Sequence, residues 1–298
     1  MIKSNTINQQ LATIDPVQLP VFMSKGIQVS MLRIDKIHPV ISGNKWYKLS
    51  YYLADAIEQK KVRVLTYGGA WSNHIVATAS ACKELGLQSI GIIRGEEPSN
   101  YSNTLLEAKK FGMQLIFVSR EDFSNKKISN ELLDERTYEI NEGGYGELGA
   151  RGASDILQLI KNESYTHLAC AVGTGTMLAG LTSGSLPEIK IIGISVLKNN
   201  LSIEAEVKKL CPTRTNWSLL HGFDQGGYAK HSKELIEFMN EFYLQTSIPT
   251  DFVYTGKLIY AVHQLASADY FPKGSKLILI HSGGLQGNQS LTKGLLAY

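Results

Sequence analysis

The sequence is poor in cysteine and has no long apolar run. Its three cysteines, Cys82, Cys170 and Cys211, are scattered and lack C-x-x-C spacing, which excludes a disulfide scaffold and favours packed thiols in a reduced, cytoplasmic protein. The seven histidines show neither H-E-x-x-H nor paired ligand spacing, so we predict no metal site. No apolar run approaches the ~18 residues of a membrane-spanning helix, and we expect no signal peptide, because the first residues lack an apolar core.

An excess of one charge is also missing. The formal net charge is +3, from 30 Lys and Arg against 27 Asp and Glu. This balance gives no electrostatic reason to expect nucleic acid or a membrane as a partner. A hydrophobic content of 43% and a charged content of 19% are typical of a globular protein. The length of 298 residues suffices for two ordinary domains or one large one.

Short apolar strands alternate with helical patterns from about residue 62 onward. Runs at 89–93, 114–118 and 167–172 are rich in branched and aromatic residues, and helical patterns stand between such runs. This alternation predicts βαβ units and therefore an α/β fold: two lobes, each an open, twisted, mainly parallel sheet with helices on both faces. A single larger sheet stays open as an alternative. Residues 1–26, interrupted by prolines, predict an arm over the surface.

A lysine stands at the start of one predicted helix. Lys45 follows a Ser-Gly-Asn break, and either Ser42 or Asn44 is a suitable N-cap. The helix-terminal field disfavours an ammonium group and favours the free amine, the nucleophile that forms a Schiff base. Taken alone, the pattern is also that of a solvated surface lysine. The predicted helix runs to about residue 60, with apolar positions of helical spacing at Trp46, Leu49, Leu53, Ala56 and Ile57.

Four glycine-rich or polar clusters directly follow predicted strands, where open α/β sheets bind ligands. We expect them to border one cleft if the lobes face each other; they are residues 68–74, 143–149, 173–176 and 281–284.

The 173–176 loop, Gly-Thr-Gly-Thr, joins a strand to a helix, as a phosphate site does. Its glycines allow backbone N–H groups to converge, and its hydroxyls add donors. It matches neither the Walker A pattern nor G-x-G-x-x-G, and a tight turn is the alternative. Ser72 and Asn73 lie at another strand-to-helix turn, where they either cap the helix or hold a carboxylate or ring hydroxyl.

Together these motifs resemble a known family. Gly-Asn-Lys, Gly-Gly-x-x-Ser-Asn-His, a mid-chain Gly-Gly, Gly-Thr-Gly-Thr, Val-Tyr-x-Gly-Lys and His-x-Gly-Gly follow one another between about residues 39 and 284. The combination is similar to pyridoxal-phosphate enzymes that include D-cysteine desulfhydrase and 1-aminocyclopropane-1-carboxylate (ACC) deaminase. The resemblance implies a tryptophan-synthase-β-like fold of type II, a pyridoxal 5'-phosphate cofactor, an amino-acid substrate and a homodimer. It also implies a small lobe of residues 49–152 and a large lobe of residues 1–48 plus 153–298.

The resemblance also assigns roles to residues. Lys45 would hold the cofactor as a Schiff base, Asn73 would bond its ring hydroxyl, and Ser72 would face the substrate carboxylate. Tyr254 would stand near the substrate, and Thr255 and Ser282 would lie near the pyridine nitrogen. The residues that would hold the phosphate are Gly173, Thr174, Gly175 and Thr176.

The favoured substrate is D-cysteine, which would give pyruvate, sulfide and ammonia. ACC deaminases tend to carry glutamate at the place of Thr255, leucine at that of Ser282, and tyrosine at that of Leu279. A neutral hydroxyl near the nitrogen makes a weaker electron sink, which suits a good leaving group. The alternatives are ACC deaminase, a D-serine lyase or racemase, and a non-catalytic cofactor-binding protein; a lyase or deaminase is expected, with hydrolase as a wider class. Family departures expected to reshape the pocket are Tyr47, Trp71 and Tyr145.

Overall fold

The computed structural model describes residues 6–298 of the chain. Within that range ten strands form two sheets. The strands are β1 (Ile14–Pro16), β2 (Gln28–Leu32), β3 (Arg63–Gly68), β4 (Gln88–Arg94), β5 (Gln114–Val118), β6 (Thr137–Ile140), β7 (His167–Val172), β8 (Lys190–Ser195), β9 (Trp217–Leu220) and β10 (Lys276–Ile280).

Helices connect and cover these strands. Among residues 6–298, none of them is both long enough and apolar enough to cross a membrane. The α-helices are α1 (Pro20–Ser24), α2 (Asn44–Glu58), α3 (Asn73–Glu84), α4 (Asn103–Lys110), α5 (Arg120–Ser124), α6 (Glu147–Ser154), α7 (Thr176–Gly184), α8 (Ser202–Leu210), α9 (Lys233–Thr246) and α10 (Thr255–Ser267). Short 3-10 helices lie at Gln9–Leu11, Ile34–Ile37, Asn130–Leu133, Glu142–Gly144, Asp155–Ile160 and Leu285–Ser290.

The larger sheet has the strand order β1-β2-β10-β7-β8-β9 within the described residues. Only its β1–β2 pair is antiparallel there; the register joins Ile14 to Leu32 and Pro16 to Ser30. The smaller sheet, in the same part of the chain, has the order β5-β4-β3-β6 and is parallel throughout. The α/β fold with two mainly parallel sheets is thus confirmed, and the single larger sheet is excluded.

The carboxyl ends of the parallel strands carry the loops that the sequence singles out. Strand β3 leads into residues 69–72, β6 into the Glu142–Gly144 turn, β7 into residues 173–175, and β10 into residues 281–284. Parallel strands place these loops on one edge of each sheet, which is where open α/β sheets bind ligands. The fold therefore brings distant motifs to the same side of the molecule.

Helix α2 belongs to a core cluster shared by both sheets. Trp46 and Leu53 of α2 pack in one buried cluster with Val64 of the smaller sheet and Leu168 of the larger one. Burial of each large apolar side chain stabilises the fold by about 1.5–3 kcal/mol. Ile57, predicted on the same face, is instead 42% exposed, because it lies in the last turn of the helix.

Glycines let the helices around this core approach closely. A Cβ on Gly152 would lie 1.8 Å from the carbonyl oxygen of Tyr47, and one on Gly180 would lie 2.3 Å from that of Ala150. Real Cβ atoms do not approach that closely, so α2, α6 and α7 stack at separations that only glycine permits. This packing fixes α2, and with it Lys45.

The described part of the amino-terminal segment packs into a core cluster. The surface arm is wrong for the described part of residues 1–26, since Val17, Leu19 and Phe22 are buried in a core cluster. Residues 1–5 of the predicted arm and large lobe lie outside the described residues. The lobe limits stay a prediction, and the limit at residue 49 falls inside α2.

Candidate active site

All four predicted loops border one cavity between the sheets. The cavity measures about 470 Å³, and both lysines of the α2 start, Lys45 and Lys48, line it. Trp71 and Asn73 line it from the smaller sheet, and Ser282 from the larger. The expectation of one shared cleft is confirmed in its geometry.

Lys45 lies in the first turn of α2. The N-cap is Gly43, with φ of +65° and no side-chain cap bond, so the prediction of Ser42 or Asn44 as cap is wrong. A Cβ on Gly43 would meet the Ser282 carbonyl oxygen at 1.9 Å, which shows how tightly the helix start packs on the 281–284 loop. Only glycine combines that positive φ with that approach.

The amine of Lys45 is easily deprotonated. Its Nζ donates to Asn44 Oδ1 at 2.8 Å, and burial lowers its pKa to about 8, opposed by the attraction of Asp251. Burial disfavours the charged form of a lysine. About a tenth of the side chain is therefore the free amine at pH 7 and about half at pH 8, and the free amine is the form that attacks a carbonyl carbon.

Lys48 and His74 are site residues to which the sequence assigned no role. Lys48 is buried, its Nζ donates to the Gly143 carbonyl at 3.4 Å, and burial together with nearby Lys45 lowers its pKa to about 7. Spacing of three residues on a helix places Lys45 and Lys48 on one face, which is the signal that could have found Lys48. A second cation near the glycine loops adds to their attraction for an anion.

His74 is held neutral in one tautomer. Thr66 donates its hydroxyl proton to the Ile140 carbonyl at 2.8 Å, so His74 Nε2 donates to Thr66 Oγ1 at 2.8 Å. Nδ1 is then an acceptor, and it has no partner among the described residues. Burial, together with the positive charges of Lys45 and Lys48, lowers the His74 pKa to about 3.

The 173–176 loop has the geometry of an anion cradle. Gly175 adopts a left-handed φ of +81° and precedes α7, so the loop and helix start can turn backbone N–H groups toward the cleft. A Cβ on Gly173 would lie 3.5 Å from the Tyr254 ring. The Thr174 and Thr176 hydroxyls bond each other at 2.9 Å. Thr176 is fully buried behind the loop, whereas its three predecessors line the cavity.

The Ser72–Asn73 turn both caps a helix and borders the cavity. Ser72 Oγ accepts from the Ile75 backbone N–H at 3.4 Å and so caps α3, while Ser72 also lines the cavity. Asn73 Oδ1 is buried and has no partner among the described residues. A buried acceptor without a partner is costly unless something occupies the cleft. Asn73 therefore offers a ready contact to a bound polar group.

The helix α10 start supplies Tyr254 but not Thr255. Tyr254 lines the cavity, its ring centroid is 5.7 Å from Lys45 Nζ, and burial raises its pKa well above the ordinary value. Thr255 is fully buried and does not line the cavity, although its hydroxyl has no partner among the described residues. Asp251, which the sequence did not reveal, caps α10 by accepting from the backbone N–H groups of Val253, Tyr254 and Thr255.

Among the positions at which this chain departs from the family pattern or from ACC deaminases, Trp71 and Ser282 line the cavity. Trp71 is 39% exposed at the cavity wall. Tyr47 is fully buried in the core, and Tyr145 is directed away to Glu206. Leu279 packs in the core of the larger sheet. Neighbours along a helix or strand point to different sides, so proximity in sequence misplaced Tyr47 and Leu279.

The site suits a cofactor that carries an aldehyde, a phosphate and a ring hydroxyl. Lys45 offers a free amine, the 173–176 loop a cradle, and Asn73 an acceptor that lacks a partner in the described part of the chain. These are the groups that pyridoxal phosphate requires of a protein.

Comparison with known proteins gives the same answer. A family model described as "Pyridoxal-phosphate dependent enzyme" matches residues 23–283. A Thermotoga maritima protein with the provisional name 1-aminocyclopropane-1-carboxylate deaminase is 31% identical over 91% of this chain and 94% of its own length. The bifunctional D-cysteine desulfhydrase/ACC deaminase of Arabidopsis thaliana is 27% identical over 89% of this chain and 74% of its own.

Solved structures agree on the architecture. An ACC deaminase homologue superposes with a TM-score of 0.82, at 29% identity, over 96% of this chain and 93% of its own. A pyridoxal 5'-phosphate-dependent aspartate racemase reaches 0.71 at 12% identity, over 92% and 90%, which shows a shared fold alone. The names of these relatives support deaminase or lyase chemistry; the wider class of hydrolase is not supported and is withdrawn.

Proposed function

Because this chain belongs to the pyridoxal-phosphate-dependent enzyme family, we propose that it is a deaminating lyase for a small amino acid, with D-cysteine as the preferred substrate. The observation that carries the proposal is the buried Lys45, whose pKa is about 8, in one cavity with the 173–176 loop and Asn73. An amine, an anion cradle and an acceptor converge there from both sheets. The reaction converts D-cysteine and water into pyruvate, sulfide and ammonia.

The residues that would hold the cofactor are those that resemble the family pattern. Lys45 would bond to it, the loop of Gly173, Thr174 and Gly175 would receive the phosphate, and Asn73 would meet the ring hydroxyl. Bound pyridoxal phosphate supplies an electron sink that stabilises negative charge on the substrate α-carbon. Thr176 supports the loop from behind, through its hydroxyl bond to Thr174.

Proton movement falls to side chains of this chain. Once its nitrogen is free, Lys45 Nζ accepts the α-proton, because burial lowers its pKa to about 8, near the working pH of a general base. Tyr254 stays a neutral phenol, since burial raises its pKa, and so it can donate a hydrogen bond in the cleft. Ser72 keeps its hydroxyl proton free for a substrate carboxylate, because its oxygen is the acceptor in the α3 cap.

Ser282 supports the preference for a good leaving group. Of the three sequence differences from ACC deaminases, Ser282 lines the cavity, whereas Thr255 and Leu279 do not. In ACC deaminases the carboxylate stands at the place of Thr255, whereas in this chain the cavity offers the neutral hydroxyl of Ser282, and a neutral hydroxyl does not hold a pyridine nitrogen protonated as a carboxylate does. The weaker sink that follows suits departure of sulfide from the β-carbon better than opening of a cyclopropane ring.

ACC deaminase is the second candidate, and the comparisons favour it. The Thermotoga maritima relative bears that provisional name, and the Arabidopsis thaliana relative bears both names. Trp71, exposed at the cavity wall, narrows the space beside Ser72. Whether that space accepts a ring-bearing substrate decides between the two candidates.

A parallel substrate panel tests the proposal. Purified holoenzyme is given D-cysteine, L-cysteine, D-serine or ACC, and the oxo acid and sulfide formed are measured. We expect pyruvate and sulfide from D-cysteine at the highest kcat/KM. Product from ACC alone, as 2-oxobutyrate, would overturn the substrate preference. Cofactor binding without turnover of any amino acid would favour a binding protein.

A further inference from the structure

Lys257 is a fully buried lysine whose ammonium group faces backbone oxygens. It lies on α10, three residues after Tyr254, and its side chain is 0% exposed. Its Nζ donates to the carbonyl oxygens of Asp224 and Gly227, each at 2.7 Å. The proposed function leaves this lysine unused. Burial of a charged side chain is expensive, so a buried ammonium with such partners needs a reason.

The two carbonyl oxygens belong to consecutive turns of one loop. Residues 221–230, the 221–230 loop, follow β9. Asp224 O also accepts from Gly227 N at 3.0 Å, and Gly227 O also accepts from Lys230 N at 3.1 Å. The same ammonium therefore binds the acceptor oxygen of both turns. A charged donor makes these bonds stronger than neutral ones.

The backbone of this loop needs an external restraint. Gln225 and Ala229 have positive φ values of 55° and 53°, a conformation that costs energy for residues with a Cβ. Asp224 Oδ1 accepts from Gly226 N at 3.0 Å, which helps the first turn. In the second turn, Lys257 Nζ supplies a hydrogen bond from outside the loop, to the Gly227 carbonyl oxygen.

The second turn carries a cavity residue. Tyr228 and Ala229 line the cleft, and the Tyr228 ring meets the Tyr254 ring edge-on, with centroids 6.1 Å apart. Tyr254 directly precedes α10, the helix that bears Lys257. The start of α10 thus carries Tyr254, and Lys257 on the same helix binds the loop that carries Tyr228.

We propose that Lys257 is a positioning residue: its ammonium group locks the two turns of the 221–230 loop and so holds Tyr228 against Tyr254 at the cleft. The effect on turnover rests on the proposed function, whereas the lock on the loop does not. The Lys257→Met variant keeps the length and the apolar stem of the side chain and removes its donors. Tyr228 then loses its fixed place at the cavity wall.

Hydrogen exchange tests the lock without any substrate. In the wild-type holoenzyme we expect slow amide exchange across residues 222–230, and in Lys257→Met an increase of about tenfold or more. Val262→Ala, a cavity variant of a buried residue on the same helix, is the control and should leave this segment protected. Wild-type exchange as fast as in the exposed 96–100 segment would overturn the lock, even if Lys257→Met failed to fold.

A double-variant cycle tests the action through Tyr228. We expect Lys257→Met to lower kcat/KM roughly tenfold, because loss of placement at a site costs that order. Tyr228→Ala, which removes the ring, should itself lower kcat/KM, and Lys257→Met combined with Tyr228→Ala should be within about twofold of the slower single variant, since coupled residues are not additive. Multiplied effects would contradict the proposal. If the wild-type holoenzyme were inactive toward every amino acid, the proposed function would be refuted. The hydrogen-exchange result would still test whether Lys257 holds the 221–230 loop in place.

Discussion

At the residue scale, burial changes the chemistry of the side chains in the cavity. Lys45, Lys48 and His74 are three nitrogen bases in one cavity, and burial lowers the pKa of each. The sequence predicted Lys45 from its place at a helix start and ascribed its reactivity to the helix field. In the structure, burial is the main cause of the lowered pKa of Lys45. Burial cannot be seen from one lysine in a motif, and this is why Lys48 was missed.

The pH dependence of cofactor uptake follows from the Lys45 pKa. Burial places that pKa at about 8, against 10.5 for an ordinary lysine. Below it the amine is protonated and unreactive, so the uptake rate of apoprotein should rise about tenfold per pH unit and level off near pH 8. Stopped-flow absorbance of pyridoxal phosphate mixed with apoprotein measures this. A rate still rising at pH 10 would show an unperturbed lysine.

Trp71 and Tyr47 form a matched pair of aromatic departures from the family pattern. Trp71 lines the cavity, whereas Tyr47 is fully buried in the core and does not line it. Trp71→Gln should change the ratio of kcat/KM for D-cysteine and ACC by roughly tenfold, since shape differences in a pocket are worth that order. Tyr47→Phe should leave the ratio unchanged. Equal effects of the two variants on the ratio would contradict this placement.

Tyr47→Phe should instead act on stability. The Tyr47 hydroxyl is buried and has no partner among the described residues. Removal of a buried, unsatisfied polar group should raise the free energy of unfolding by about 1 kcal/mol. Urea unfolding followed by circular dichroism measures the change. A loss of stability would show that the hydroxyl has a partner, such as a bound water.

At the element scale, the sequence predicted most strands but not all. Gln114–Val118 and His167–Val172 have the predicted bounds, because short apolar runs between turns are typical of buried parallel strands. The three-residue strand Ile14–Pro16 was missed, since so short a strand shows no period and Pro16 argues for an edge. Motif order likewise did not reveal that Leu279 and Thr255 face away from the cavity, because side-chain direction depends on register.

Substitution of Gly175 tests whether the 173–176 loop is an anion cradle. Its φ is +81°, and a Cβ there would lie 2.8 Å from Val207 Cγ2. Gly175→Ala should therefore weaken pyridoxal-phosphate binding by tenfold or more, about 1.4 kcal/mol, as measured by fluorescence titration. The control is Gly112→Ala, where φ is +89° but nothing lies within 4 Å. Equal affinity in both variants would argue against the cradle.

At the scale of the whole molecule, the cleft joins two sheets that the sequence could not place relative to each other. Periodicity shows that strands and helices alternate, but it does not give strand order or the number of sheets. Trp46 and Leu53 share a core with both sheets, so α2 connects the site to the folding of the entire chain. Cytoplasmic location, the lobe limits and a homodimer stay predictions.

A ligand that contacts both sheets should stabilise the whole chain. At a hundredfold excess over its dissociation constant, pyridoxal phosphate should add about 2.7 kcal/mol to the free energy of unfolding. Thermal unfolding of the apoprotein with and without cofactor measures the shift. At the same cofactor concentration, the increase in the free energy of unfolding should be smaller for Gly175→Ala, because its anion cradle is distorted. An unchanged melting temperature of the wild type would show that the cofactor does not bind in the cleft between the two sheets.

Borohydride reduction of the holoenzyme, followed by peptide mapping, tests the central claim most directly. We expect the reduced cofactor on Lys45 alone, with trypsin no longer cleaving after Lys45 but still cleaving after Lys48. Lys45→Ala should carry no label. Label on Lys48 or on any other lysine, or no label on protein saturated with pyridoxal phosphate, would contradict the assignment of Lys45 as the residue that holds the cofactor.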